Sequence, residues 1–311
     1  MVKTGIAIFG GAHLDRRGRI SGETAPAASN PGKWMEEPGG GGFNAARNLA
    51  RLGHAVTMVS PRGGDAHGER VAAAATEAGV IDRPATYLDR ATPTYTAILD
   101  RHGDLVIAIA DMALYDLFSP RRLRQKALRE LVGASDLVLC DANLPAATLT
   151  ALLAMAKDAG CRTAGIGVSP AKVVRFTDGL PSLDFLFLNA AEAAALAGAK
   201  AETPADWPAL LAAKGLAGGV VTSGAGAAVA FDGGQAILRA PRPLGEIGDV
   251  TGAGDALASG FLAAHLAGES LEECLASGFA AAAITLRSPY AVNPDLSPFS
   301  LAAERKAAAG P

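Results

Sequence analysis

Acids and bases in near balance, with a formal charge of −3 spread over 311 residues, exclude a dedicated nucleic-acid surface and an anionic-membrane anchor. Half of the residues are apolar and 19% are charged, which is the composition of an ordinary globular enzyme and not of a disordered chain. Cys140, Cys161 and Cys274 are far apart and form no CxxC pair; with no signal-like leader and no apolar run of roughly 18 residues, they argue for a reducing, cytoplasmic setting without a disulfide scaffold or zinc site.

GIAIFGGAHLD reads as a strand followed by Asp15, at the carboxyl end where α/β folds bind ligands. Asp15 is either a solvated turn residue or an acceptor for a sugar's vicinal hydroxyls. Residues 18–38 are polar, rich in Gly and Pro, and carry no helical period. Four glycines, Gly39 to Gly42, then abut a helix in which Phe43, Ala46, Leu49, Ala50 and Leu52 recur at helical spacing up to Gly53. A linker would not be welded to a helix. Glycines here remove every Cβ so that backbone can meet a ligand, and Asn44 in the first turn can donate and accept.

TPTYTAILDRHGDLVIAIADM, residues 92–112, is two apolar or β-branched runs joined by RHGD, an antiparallel hairpin. Together with segment 16–38 it predicts a small β lid over a site at the strand ends. RRLRQKALR, from Arg121, has leucines at helical spacing and reads as a solvated amphipathic helix. Beyond it, DLVLCDAN, TAGIGVS, DFLFLN and GGVVTSG alternate with Ala- and Leu-rich helices to about residue 231, a βαβ rhythm that predicts a mostly parallel sheet with helices on both faces in one domain, 1–311.

LFLNAAEAAALAG places Asn189 and Glu192 at a helix start, as a capping box or as a Glu that holds metal-bound water. VTSGAGAAVA is a strand, glycine turn and strand. GDVTGAGDALASGF carries the strongest signal: Gly252, Ala253 and Gly254 precede a helix with Asp255 at its start. Their amides can form an anion hole, and the Asp is either a helix cap or a base beside a phosphate. No Walker A follows the only Gly-Lys pair, and the first strand lacks GxGxxG, so P-loop and dinucleotide chemistry lose support.

In this order, GGGGFNAARNLARLG, NAAE, VTSGAG and DVTGAGDALASGF resemble the ribokinase-like (PfkB) family of sugar and nucleoside kinases along essentially the whole chain. The resemblance implies a three-layer αβα fold with a mostly parallel central sheet and a small β lid, ATP as donor, Mg²⁺ as bridging metal, and a small-molecule nucleoside or sugar as acceptor. SNPGK, IADM, DAN and NPDLS resemble the branch that acts on the 5′-hydroxyl of pseudouridine; other members act on ribose or fructose derivatives, and a non-catalytic nucleoside-binding regulator on the same fold is a further reading.

By position, Asp255 matches the catalytic base, and Gly252, Ala253 and Gly254 the anion hole. Asp15, Gly40, Gly41 and Asn44 match ribosyl-binding positions, with Asn30, Asp111 and Asn143 as further substrate contacts. Asn189, Thr222 and Gly224 match nucleotide contacts, and Glu192 the residue that holds Mg²⁺ through water. Asp249 and Val250 lie where many members bind K⁺. The chain departs from the family pattern at Ala227, at IGVSP without an Asp-Pro pair, and at Phe187 and Leu188 in place of Lys-Pro. A homodimer that covers the exposed face of the small sheet is expected.

Overall fold

The computed structural model describes residues 5–245 and 247–309; the rest of the expected 1–311 domain lies outside the described residues. In chain order its strands are β1 (Gly5–Phe9), β2 (His13–Ile20), β3 (Gly32–Gly39), β4 (Ala55–Val59), β5 (Pro61–Gly63), β6 (Ile81–Asp82), β7 (Ala85–Tyr87), β8 (Thr94–Leu99), β9 (Leu105–Asp111), β10 (Leu137–Asp141), β11 (Arg162–Ile166), β12 (Phe185–Asn189), β13 (Gly218–Thr222), β14 (Ala228–Asp232) and β15 (Gln235–Arg239). The helices are α1 (Gly41–Arg51), α2 (Ala66–Glu77), α3 (Pro120–Leu123), α4 (Lys126–Gly133), α5 (Ala146–Asp158), α6 (Pro170–Val173), α7 (Ala190–Ala197), α8 (Trp207–Ala212), α9 (Ala253–Leu266), α10 (Leu271–Leu286) and α11 (Pro298–Ala309).

Nine strands form the main sheet in the order β15-β14-β13-β12-β11-β10-β1-β4-β6, parallel except for the antiparallel pairings of β14 with β13 and β15. Successive residues of its central strands serve opposite faces. Ile6, Ile8, Leu137 and Leu139 enter one apolar cluster with Phe43, Leu49 and Phe261, while Ala7, Phe9, Val138 and Cys140 enter another with Leu149, Leu152 and Leu196. Burial on both faces is why these strands read as continuous apolar runs. Phe261 of α9 meets Phe185 and Phe187 edge-on, with ring centroids 5.0 and 5.4 Å apart, which fixes the helix that carries Asp255 against β12.

A second sheet, in the order β3-β2-β8-β9, contains the expected hairpin of β8 and β9 and a second hairpin of β2 and β3. The second begins at His13, before the expected boundary, because the strand continues through Asp15. β2 runs parallel to β8, so the two hairpins join through their first strands.

Two readings need correction. RRLRQKALR is not one helix: α3 ends at Leu123 and α4 starts at Lys126, with Gln125 extended between them. The βαβ rhythm ends at β13, after which two antiparallel strands follow, and β15 has an alternation too weak to announce itself. Among the described residues, no helix is long and apolar enough to cross a membrane.

Candidate active site

Strand order reverses between β1 and β10, and the residues with chemical function gather at the carboxyl ends of the strands on either side. Asp141, the last residue of β10, is fully buried there. It accepts the backbone amides of Gly11 at 2.9 Å and Gly42 at 2.7 Å, and both the amide and the side chain of Asn143, at 2.9 and 3.0 Å. One carboxylate thus ties the turn after β1 to the glycine run before α1.

That run brings backbone against Asp15 and the turn after β1. A Cβ on Gly39 would lie 2.1 Å from Asp15 Oδ2, and Gly40, at φ 109°, would place one 2.5 Å from the Gly11 carbonyl oxygen. Gly41 faces Asp255 Oδ1 together with Ile166 and Val168. Val168 itself holds φ 68°, a strained conformation for a β-branched residue, in the turn where the family's Asp-Pro pair is missing. His13 steadies Asp15: its Nε2 is 3.1 Å from Asp15 Oδ1, while its Nδ1 shares a 2.9 Å hydrogen bond with the buried Tyr115 hydroxyl.

Asp255 stands in the first turn of α9, but Gly252, at φ 78°, occupies the cap position, so the capping reading of the acid is corrected. Its Oδ2 accepts Asn44 Nδ2 at 2.8 Å, and Asn44 Oδ1 accepts Arg47 Nη2 at 2.8 Å. These partners set the orientation of the amide, since a flipped Asn44 would put carbonyl against carboxylate. Arg47 is buried, donates also to the Pro38 carbonyl at 2.6 Å, and has its pKa pulled down to about 10 by burial.

Burial lifts the Asp255 carboxyl from the usual range to about 7; the Asn44 bond lowers it, and the charges of Asp141, Glu192 and Asp15 raise it. A carboxylate with that proton affinity is poised for general-base work near neutral pH.

The anion turn differs in detail from its expected form. Ala253 donates its amide to the Val250 carbonyl over a long 3.4 Å, while the amides of Gly252 and Gly254 have no partner among the described residues. A Cβ on Gly252 would fall 2.0 Å from the Ala291 carbonyl oxygen, so only glycine keeps this turn closed against the 288–293 segment.

On the other flank, Asn189 and Glu192 form the complete capping box, each side chain accepting the other's amide at 2.9 Å. Burial raises the Glu192 pKa. Gly167 leans on the same carboxylate, since its Cβ would sit 2.7 Å from Glu192 Oε2. Asn189 and Thr222 are register partners on β12 and β13, and Thr222 donates to the Leu188 carbonyl at 3.3 Å. Gly224, at φ 55°, turns the chain into open space.

Not every expected contact is gathered here. Asn30 lies at the far tip of the β2–β3 hairpin, two residues beyond Gly32, which is itself about 23 Å along the strand from Gly39. Its side chain closes that loop, accepting the Ala25 amide and donating to the Ala25 and Ala28 carbonyls. Asp111 pairs with Thr94, itself the partner of Leu14, so the pleat turns it to the face opposite Asp15. Asn143 is buried, holding Asp141 on one side and accepting Lys172 Nζ at 2.7 Å on the other. Asp249 accepts Arg17 Nη1 at 2.6 Å, and Val250 is exposed.

The donor set fits a magnesium nucleotide. Two unpartnered amides face the start of α9, and no ion pair neutralises the carboxylates of Asp255 or Glu192 among the described residues. No cluster of three or more metal-binding side chains occurs among those residues. Mg²⁺ would therefore be held through phosphate oxygens and water, with Glu192 the carboxylate available to hold such a water.

This fold and strand-end site define a ribokinase-like kinase. The ribokinase of Arabidopsis thaliana, solved with ribose and ATP, superposes with a TM-score of 0.86 at 23% identity over 98% of this chain and 99% of its own. The pfkB carbohydrate kinase family matches residues 3–297, and the chain belongs to that family of alcohol phosphotransferases. A carbohydrate kinase from Agrobacterium tumefaciens is 56% identical, with a TM-score of 0.88 and 97% of each chain covered. Pseudouridine kinase of Escherichia coli is 30% identical over 297 residues, 94% of this chain and 93% of its own.

Proposed function

We propose that the chain transfers the γ-phosphoryl group of ATP to the 5′-hydroxyl of pseudouridine, giving pseudouridine 5′-phosphate. The observation that carries the phosphotransfer reading is Asp255, its proton affinity near neutrality, beside the Gly252 and Gly254 amides, which have no partner among the described residues. The near full-length similarity to the Escherichia coli pseudouridine kinase supports the acceptor.

Asp15 and the glycine backbone hold the ribosyl hydroxyls, and the primary hydroxyl gives its proton to Asp255 as its oxygen attacks. Gly252 and Gly254 donate to the negative charge that develops on the phosphoryl oxygens. Magnesium-bound ATP, when present, supplies the transferable group and charge compensation; the protein's part is positioning and electrostatics. The small sheet acts as a lid that excludes water from the site.

A coupled ADP-release assay with ATP and Mg²⁺ over pseudouridine, uridine and ribose tests the acceptor. Pseudouridine is expected to exceed uridine in kcat/KM by about tenfold or more. Equal rates on uridine would reject the narrow reading, and preference for a free sugar would support the second one, a sugar kinase, which the 56% identity to a carbohydrate kinase favours.

The outer face of the lid carries Trp34 and Ile98 folded over Gly18, with Ile107 and Ile109 beside them, three of the four strongly exposed. A second copy of the chain covering this apolar stripe gives a homodimer. Sedimentation as a monomer at micromolar concentration would remove it.

A further inference from the structure

Arg17 belongs to none of the motifs in the sequence, yet it joins three segments far apart in the chain. It projects from β2 on the same face as Asp15, two residues on. Its Nη1 donates to Asp249 Oδ2 at 2.6 Å and to Thr251 Oγ1 at 3.3 Å, and its Nη2 lies 3.4 Å from Glu37 Oε2. Asp249 Oδ1 is occupied as well, accepting the Thr251 amide at 2.8 Å and its hydroxyl at 2.7 Å. Glu37, buried on β3, accepts the Ala291 amide at 3.1 Å, and the Ala291 carbonyl is the group that closes on Gly252. Arg17 and Glu37 thus clamp the two loops that shape the anion turn.

Both oxygens of Asp249 are engaged, and the Val250 carbonyl accepts Ala253. A potassium ion at this carboxylate would meet a guanidinium already in contact with it, so the residues do not fit the cation that the family implies. We propose that Arg17 is the chain's built-in monovalent cation: it neutralises Asp249 permanently, makes turnover independent of added K⁺, and couples the shape of the anion turn to docking of the small sheet. A guanidinium suits this place because it reaches several oxygens at once in a fixed fork, with no exchange into solvent.

The inference rests on the kinase reading for its activity arm only. In the ADP-release assay at constant ionic strength, wild type is expected to turn over at equal rates, within about twofold, in KCl and in tetramethylammonium chloride. Arg17→Ala is expected to lose about tenfold or more in tetramethylammonium, as loss of a charge-assisted hydrogen bond implies, and to recover part of it in KCl or guanidinium chloride. Thermal melting without substrate supplies a second readout: K⁺ should leave the wild-type midpoint unchanged and raise that of Arg17→Ala. Saturable activation or stabilisation of wild type by K⁺ would overturn the proposal, as would wild-type rates for Arg17→Ala in tetramethylammonium. Should Arg17→Ala not fold, the wild-type salt comparison and Arg17→Lys decide. If no acceptor turns over, the kinase reading fails while the melting curves still judge Arg17.

Discussion

The proposed acceptor and donor flanks of the site are both built from glycine turns, yet they are packed to different degrees. On the acceptor side the glycines are packed against internal partners: Gly39 against Asp15, Gly40 against the Gly11 carbonyl, and Gly42 on the Asp141 carboxylate. On the donor side Gly252 is closed against the Ala291 carbonyl, but Gly224 and Gly254 have nothing within 4 Å of a would-be Cβ. The difference teaches where selectivity resides. A prebuilt acceptor wall discriminates by shape before anything binds, whereas an open donor turn receives its shape from a ligand common to many kinases.

The most disruptive test of this contrast is Asp255→Asn, which leaves the glycine wall hydrogen-bonded but removes the proposed base. Turnover is expected to fall roughly 100-fold or more while acceptor KM changes little. The wild-type kcat/KM should rise with pH through about 7, where Asp255 loses its proton. Because the folded pKa lies above the unfolded one, the carboxylate costs stability as pH rises from about 4 to about 7. The Asn variant should therefore melt at a higher temperature than wild type at pH 8, and equal melting curves would show that the acid is better solvated than the structure indicates.

Gly39→Ala probes the acceptor wall alone. Its methyl group must displace the Asp15 carboxylate, so acceptor KM is expected to rise about tenfold, at the scale of an overpacked site, with ATP KM unchanged. Gly224→Ala probes the donor turn and should be mildest: space is free, and only the left-handed φ opposes it, costing about 1 kcal/mol and a few-fold in ATP KM. If the two alanines had equal effects on acceptor KM, the contrast between the flanks would collapse.

How much of this was legible beforehand follows from the kind of signal each part leaves. The glycine run, the GAGD turn and the Asn189–Glu192 pair are local: helix period, glycine clusters and capping chemistry lie within a dozen residues. The small sheet was half legible, since β8 and β9 alternate around a polar turn, whereas GKWMEEPG in β3 shows only an absence of helical period. The pairings that brace the site left no trace, although Asn44 and Asp255 each stood out by themselves. Arg17 finds Asp249 across 232 positions, Asn44 finds Asp255 across 211, and Asp141 finds Gly42 across 99. A single Arg or Asp has no periodicity, so its partner becomes visible only when the sheet brings the two together. The positions of Asn30 and Asp111 away from Asp15 were illegible for the complementary reason, as position along a hairpin and the side of a pleat depend on register.

The order of the parallel strands has one more consequence. Thr222 on β13, Asn189 on β12, Ile166 on β11 and Asp141 on β10 mark successive rungs along the carboxyl edge, and adjacent strands are about 4.8 Å apart. The edge is therefore a ruler graduated in steps longer than the near-attack contact between an attacking oxygen and the phosphorus, about 3–3.5 Å. Donor and acceptor cannot be re-matched by sliding one rung. Any change of acceptor within this architecture must come from the turns and the small sheet above the edge, with the graduations left as they are.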